Sequence, residues 1–271
     1  MKPGVRNFMA VKIKKNGSIW TVVLSRCQSK NAIDPETASE LYKAFIAFES
    51  DKIARVAVLW GEGGVFCSGW DLKYAATLSG TKALDQYDFS PEDACQMGVL
   101  GPTRLDLSKP VIAAVSGAAV AGGMELALWA DIRVMEDTAF MGVYCRRWGI
   151  PLIDGGTVRL PRLIGEGRAM DLILTGRKVK AKEAMDIGLC EYLVRDGQAL
   201  IKAEKLAKDI ARFPQSCMRA DRRSVRSQHH LKRWEAMNEE WKGSKSEVSK
   251  GIKGALAFVS GKGRGGDFSN L

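Results

Sequence analysis

The chain has 271 residues, 46% of them apolar and 27% charged. That is ample for a hydrophobic core in one large domain or a domain plus an extension, and the balance excludes a disordered or collagen-like chain. The formal net charge is +10, with basic ends (residues 1–30 and 201–271) around a mildly acidic middle. Such ends suit a polyanion: nucleic acid, an acidic membrane or a phosphate-rich small ligand.

Ala10–Lys14 and Ser18–Leu24 alternate as strands do, and Asn16-Gly17 between them is a tight-turn signal, so the chain opens on a hairpin. Asp34-Pro35 reads as a helix N-cap followed by proline at the first helical position. Ala38, Leu41, Phe45 and Phe48 then fall on one face of that helix. Val56–Trp60 is a short buried strand. Residues 77–107 are mixed and polar, and are expected to be loop with short helices. Val111–Val115 is a further buried strand, from which a small-residue turn, Ser116–Gly123, leads into the helix Met124–Trp129.

Ile132–Met135 and Ala139–Met141 are strand-like, Leu172–Thr175 ends at Gly176, and Lys180–Ile187 is a short helix stopped by Gly188. Beyond Gln198 the pattern is helical: Leu200–Arg212, Cys217–Val225, Leu231–Trp241 and Val248–Val259, with Pro214 and Gly243 as breaks. The chain thus reads as α/β for two thirds of its length and α-helical afterwards.

Val111–Ala130 approaches the length of a bilayer span, but Glu125 in its middle would be costly in lipid. A strand, turn and helix in a soluble core fit it better, so no membrane role is expected. The only histidines are adjacent, His229 and His230, and neighbouring helical positions point different ways. A His-dependent triad or multi-His metal site is therefore excluded. The six cysteines are widely spread with no zinc spacing, which predicts no metal site and reduced thiols. No secretory signal is visible at the start. The expected compartment is the cytoplasm, or an organelle matrix if a presequence has been removed.

Serine-hydrolase, P-loop and dinucleotide-fold signatures all lack their residues. Three small-residue segments remain: Gly63-Gly64-Val65-Phe66-Cys67-Ser68-Gly69-Trp70-Asp71-Leu72, Ser116-Gly117-Ala118-Ala119-Val120-Ala121-Gly122-Gly123-Met124-Glu125-Leu126, and Gly149-Ile150-Pro151-Leu152-Ile153-Asp154-Gly155-Gly156-Thr157-Val158-Arg159-Leu160. In this order they resemble the enoyl-CoA hydratase/isomerase (crotonase) superfamily. Asn31-Ala32-Ile33, Lys109-Pro110-Val111 and Thr175-Gly176-Arg177 add to the likeness. The match runs from about residue 10 to 195.

The resemblance implies an α/β fold, a crotonase-like spiral of repeated strand–strand–helix units with a helical C-terminal extension. It divides the chain into an acyl-CoA-binding core, 1–195, and a helical oligomerisation region, 196–271. Enolate chemistry at a thioester needs two backbone N–H groups aimed at the carbonyl oxygen, where negative charge develops. By resemblance these belong to Trp70 and Gly122, although the family commonly has a small residue at the tryptophan's place.

Glu125 is the leading catalytic candidate, because a lone carboxylate in an Ala/Leu/Met helix is costly to bury without a task. The family's second glutamate position falls on Cys145, and a neutral thiol cannot replace a carboxylate as an acid/base. For Cys145 a buried packing thiol and an activated thiol beside Arg146 and Arg147 both stand. For Asp154 a second catalytic carboxylate, as in some family isomerases, and an N-cap of the following helix both stand.

The resemblance further implies contacts to CoA or substrate at Arg26, Ala32, Ser68, Asp71 and Leu72. Lys30, Lys262 and Arg264 are further candidates for the nucleotide phosphates. No cofactor is implied beyond the CoA carried by the substrate, and the expected assembly is a homotrimer or a dimer of trimers. The implied activity is hydration of an enoyl-CoA thioester, with enoyl- or dienoyl-CoA isomerisation through Glu125 and Asp154 as the alternative. RNA binding, acquired by some relatives, is a remoter alternative; no RNA motif or stacking platform supports a nucleic-acid partner.

Overall fold

Strand β1 (Val11–Asn16) pairs antiparallel with β2 (Ile19–Leu24) through the Asn16-Gly17 turn. All six residues of β2 are buried, as expected of a strand covered on both faces. Helix α1 (Pro35–Ser50) starts where the Asp34 side chain accepts the Thr37 N–H at 2.9 Å. Its buried face carries Ala38, Leu41, Phe45 and Phe48. The computed structural model describes residues 9–80, 82–90, 92–93 and 95–261.

The chain then repeats one pattern. Strand β3 (Val56–Gly61) is followed by an extended passage through Cys67–Trp70 and the short helix α2 (Leu72–Ala75). Strand β4 (Val111–Val115) is followed by β5 (Ala118–Val120) and α3 (Gly122–Trp129). Strand β6 (Ile132–Glu136) is followed by β7 (Phe140–Gly142), with α4 (Gly156–Ile164) and α5 (Glu166–Thr175) beyond it. Strand β8 (Val179–Lys180), α6 (Ala181–Asp186) and β9 (Tyr192–Val194) complete the series.

The first strand of each turn enters a six-stranded sheet of order β1-β2-β3-β4-β6-β9, parallel from β2 onward. The second strand joins a smaller layer: Ile33 bridges Trp70, Cys67 bridges Ala119, β5 pairs with β7, and β7 with β8. This is the expected α/β spiral of strand–strand–helix units.

Aromatic packing fixes α1 against α3, with Phe45 and Trp129 edge to face at 4.8 Å. Trp20 and Phe48 meet the same way at 5.8 Å. Full burial of one such side chain is worth about 1.5–3 kcal/mol.

Two sequence expectations need correction. The small-residue turn 116–123 contains strand β5, because Ala118–Val120 pairs in register with Phe140–Gly142. The loop with short helices expected over 77–107 is present, with 3₁₀ turns at Lys82–Tyr87 and Pro102–Arg104 among its described residues. The break expected at Gly243 is absent. Following α7 (Ala199–Arg212) and α8 (Gln215–Ser227), helix α9 runs unbroken from Arg233 to Val259. One glycine costs a helix only about 1 kcal/mol, and α9 packs along α8.

The chain divides into two compact units, Met1–Ala207 and Lys208–Leu271, with the boundary inside α7. In the second unit α9 exposes a row of apolar side chains, Trp234, Met237, Trp241, Val248, Ile252 and Val259. Among the described residues, no helix is long and apolar enough to cross a membrane.

Candidate active site

The site begins with two backbone N–H groups. Ile33 N–H donates to Gly69 O at 2.8 Å and Asp71 N–H donates to Ile33 O at 2.9 Å. Successive peptide groups of an extended chain point to opposite sides, so the Trp70 N–H between them faces away from Ile33. Gly122 opens α3, where the first N–H groups have no intrahelical acceptor. Among the described residues, neither the Trp70 nor the Gly122 N–H donates to a protein acceptor.

The two backbones touch. A Cβ added to Gly69 would lie 2.8 Å from Gly122 N, and Gly69 has φ +92°, a conformation that also favours glycine. The turn from β5 into α3 passes through Ala121 at φ 52°, ψ −127°. A non-glycine residue held there costs about 1–3 kcal/mol, strain that tends to sit at functional sites.

Glu125 lies three residues beyond Gly122, on the same face of α3. It is 3% exposed. Its Oε1 accepts the N–H groups of Asp154 at 3.0 Å and Gly156 at 2.8 Å. Oε2 has no protein donor among the described residues. Burial, reinforced by the nearby charge of Asp154, pushes the Glu125 carboxyl up to about 7, against the pull of the two amides.

Asp154 is also buried, and its Oδ1 accepts the Leu100 N–H at 3.2 Å and the Thr103 hydroxyl. Burial raises its proton affinity, while Thr103, Leu100 and the charges of Arg104 and Arg159 oppose that rise. Of the two readings open for Asp154, the N-cap is removed. Gly155 is the cap residue of α4, and the donors to the Asp154 side chain are Leu100 and Thr103, not N–H groups of that helix.

A cavity of about 160 Å³ gathers these groups. Trp70, Gly122, Glu125, Cys145 and Asp154 line it, as do Ser68 and Leu72. The rest of its wall is chiefly apolar and aromatic, including Tyr144 and Trp148. Cys145 is buried in the 3₁₀ turn Tyr144–Trp148, and burial with the charge of Glu125 pushes its thiol up. That removes the activated-thiol reading, since a reactive cysteine needs its thiolate.

Arg26, Ala32 and Asp71 do not line the cavity. Arg26 Nη2 sits between Asp34 Oδ2 at 2.8 Å and Asp71 Oδ2 at 3.1 Å, and its Nη1 donates to Ala32 O. These residues tie the loop before α1 to the loop before α2. Opposite charges close at hand hold Arg26 in place, with its side chain still 23% exposed. Lys30 is exposed, and Lys262 and Arg264 lie outside the described residues.

The loop 98–104 was missed in the sequence. Leu100 and Thr103 hold Asp154, and a Cβ on Gly122 would meet the Leu100 side chain at 2.4 Å. Only its two glycines and proline hinted at an ordered turn. All six cysteines are free, and among the described residues no cluster of three His, Cys, Asp or Glu side chains could hold a metal ion.

Residues 14–263 match the family model described as enoyl-CoA hydratase/isomerase. Enoyl-CoA hydratase EchA19 of Mycobacterium tuberculosis is 37% identical over 221 residues, 79% of each chain. A carnitinyl-CoA dehydratase of Salmonella arizonae is 38% identical over 203 residues, 74% of each chain. The crystal structure of enoyl-CoA hydratase EchA1 from Mycobacterium marinum superposes with a TM-score of 0.83 at 29% identity, covering 93% of this chain and 96% of that one. The spiral, the cavity and this breadth of likeness agree: the chain is an enzyme belonging to the enoyl-CoA hydratase/isomerase family.

Proposed function

We propose that the enzyme adds water reversibly across the Cα–Cβ double bond of an enoyl-CoA thioester. The observation that carries this reading is the pairing, in one cavity, of two carboxyl groups with two unclaimed backbone N–H groups. The Trp70 and Gly122 amides receive the thioester oxygen, and the N-terminal end of α3 adds its dipole. Glu125 and Asp154 share one proton. Burial raises the proton affinity of both, and of two such carboxyls in one cavity the protonated one serves as acid and the ionised one as base.

In hydration, Asp154 accepts a proton from water as the oxygen forms its bond to Cβ. The π electrons move through Cα onto the thioester oxygen as an enolate, which then collapses as Glu125 delivers its proton to Cα. Asp154 later returns its proton to Glu125 through solvent. No cofactor enters, and Cys145, at the place of the family's second glutamate, stays a neutral wall of the pocket.

Product analysis with crotonyl-CoA, a 3-enoyl-CoA and a 3,5-dienoyl-CoA tests this. Gain of one water by crotonyl-CoA supports hydration. Migration of the double bond in the other two, without water gain by the first, replaces it with isomerisation.

A second reading concerns the acyl group. Trp70 and Trp148 line a cavity to which no Lys or Arg among the described residues contributes, and tryptophan faces attract quaternary ammonium groups. Together with the relatives named carnitinyl-CoA dehydratase, this favours trying carnitinyl-CoA beside crotonyl-CoA. Turnover of only the uncharged thioester rejects it.

We also propose that the exposed apolar row of α9 carries self-association into a trimer or a dimer of trimers. Sedimentation equilibrium tests it, and a monomer at micromolar concentration rejects it.

A further inference from the structure

We infer that Thr103 is a positioning residue that keeps Asp154 ionised and turned so that one oxygen, Oδ2, is left for the reacting water. The inference rests on the reading of Asp154 as the group that accepts the water's proton.

Thr103 is fully buried and donates its hydroxyl to Asp154 Oδ1, which also accepts Leu100 N–H at 3.2 Å. Both protein donors go to the same oxygen, and Oδ2 has none among the described residues. The pair is locked from behind by one side chain. Arg159 Nη1 donates to Asp154 O at 2.9 Å, and Nη2 to Thr103 O at 2.6 Å. Space is fitted equally closely. A Cβ on Gly98 would lie 2.2 Å from Thr103 Oγ1 and 2.5 Å from Asp154 Oδ1. Gly98 and Gly101 exchange reciprocal backbone hydrogen bonds of 2.8 and 2.9 Å, a tight loop that presents both Leu100 N–H and Thr103.

The charged and titratable groups around Asp154 are Glu125 from α3, Arg159 from α4, and Arg104 and Tyr87 from the segment before β4. Burial disfavours ionisation of Asp154, and Glu125 adds to that only when it too is charged. The two arginines favour it from a distance, while Thr103 does so by direct contact. A hydroxyl donating to a carboxylate stabilises the charged form, so its loss raises the carboxyl's proton affinity.

The test uses Thr103→Val, with the same shape and no donor. Thr103→Ala also lacks the donor and serves if the valine variant does not fold. Thr103→Ser restores the hydroxyl. Two quantities are read: the Asp154 titration by carboxyl-carbon NMR, and the acid limb of the kcat/KM profile for crotonyl-CoA. The valine variant should move both upward by about one pH unit, and serine should return both. A folded valine or alanine variant with an unmoved Asp154 titration overturns the role of Thr103. An Asp154 titration that moves while the acid limb stays leaves that role standing and removes Asp154 as the proton acceptor.

Discussion

Glu125 Oε1 accepts the backbone N–H of Gly156 at 2.8 Å, and a Cβ on Gly156 would lie 2.8 Å from that same oxygen. The first residue of α4 therefore both holds the carboxylate and must be a glycine to let it approach. Gly156→Ala should push the Glu125 side chain off its two amides. Comparison of the variants by steady-state kinetics should show a fall in kcat of about 10²-fold with a smaller change in KM. An alanine variant with unchanged kcat would show that this geometry is not needed.

Glu125→Gln should lose at least about 10²-fold in kcat, since an amide cannot carry the proton. It should also stabilise the protein, in a pH-dependent way. Folded Glu125 holds its proton up to about 7, against an ordinary value of 4.5. Below about 4.5 both states are protonated and burial of the charge costs nothing. As pH rises toward 7 the unfolded chain ionises freely and the folded one resists, so the wild type loses stability across that window. The full difference is of order 3 kcal/mol. Thermal melts should show the glutamine variant gaining several degrees at about pH 8 and little at about pH 4, because its oxygen still accepts the two amides. Equal gain at both values would contradict the burial cost assigned to Glu125.

Gly69→Ala addresses the two N–H groups, which side-chain substitution cannot delete. Its Cβ would lie 2.8 Å from Gly122 N and 3.1 Å from Ala121 Cβ. Spreading the Trp70 and Gly122 donors should lower kcat by about 10²–10³-fold, the usual effect of losing one such donor. Circular dichroism of the folded variant separates this from unfolding. Full activity would place the oxyanion elsewhere.

What the sequence disclosed and what it hid divide along a physical line. The hairpin at Asn16-Gly17, the Asp34 cap and the buried face of α1 were legible because turn chemistry and periodicity are local. Glu125 stood out because a carboxylate among apolar neighbours is anomalous wherever it lies. The role of loop 98–104 was not legible, since Leu100 and Thr103 meet Asp154 across more than 50 residues of chain. The ion pair of Arg26 with Asp71 was hidden for the same reason, since 45 residues separate the two. Gly243 misled in the opposite sense, because packing of α8 on α9 outweighs one residue's weak propensity.

The pH dependence of kcat/KM for crotonyl-CoA hydration decides whether Glu125 and Asp154 work as a singly protonated pair. The pair predicts a bell whose alkaline limb lies near 7, where Glu125 gives up its proton. That limb should vanish from the residual activity of Glu125→Gln. A rate that stays level or rises from about pH 7 to about pH 9, or an alkaline limb kept by the glutamine variant, would contradict the paired-carboxyl mechanism.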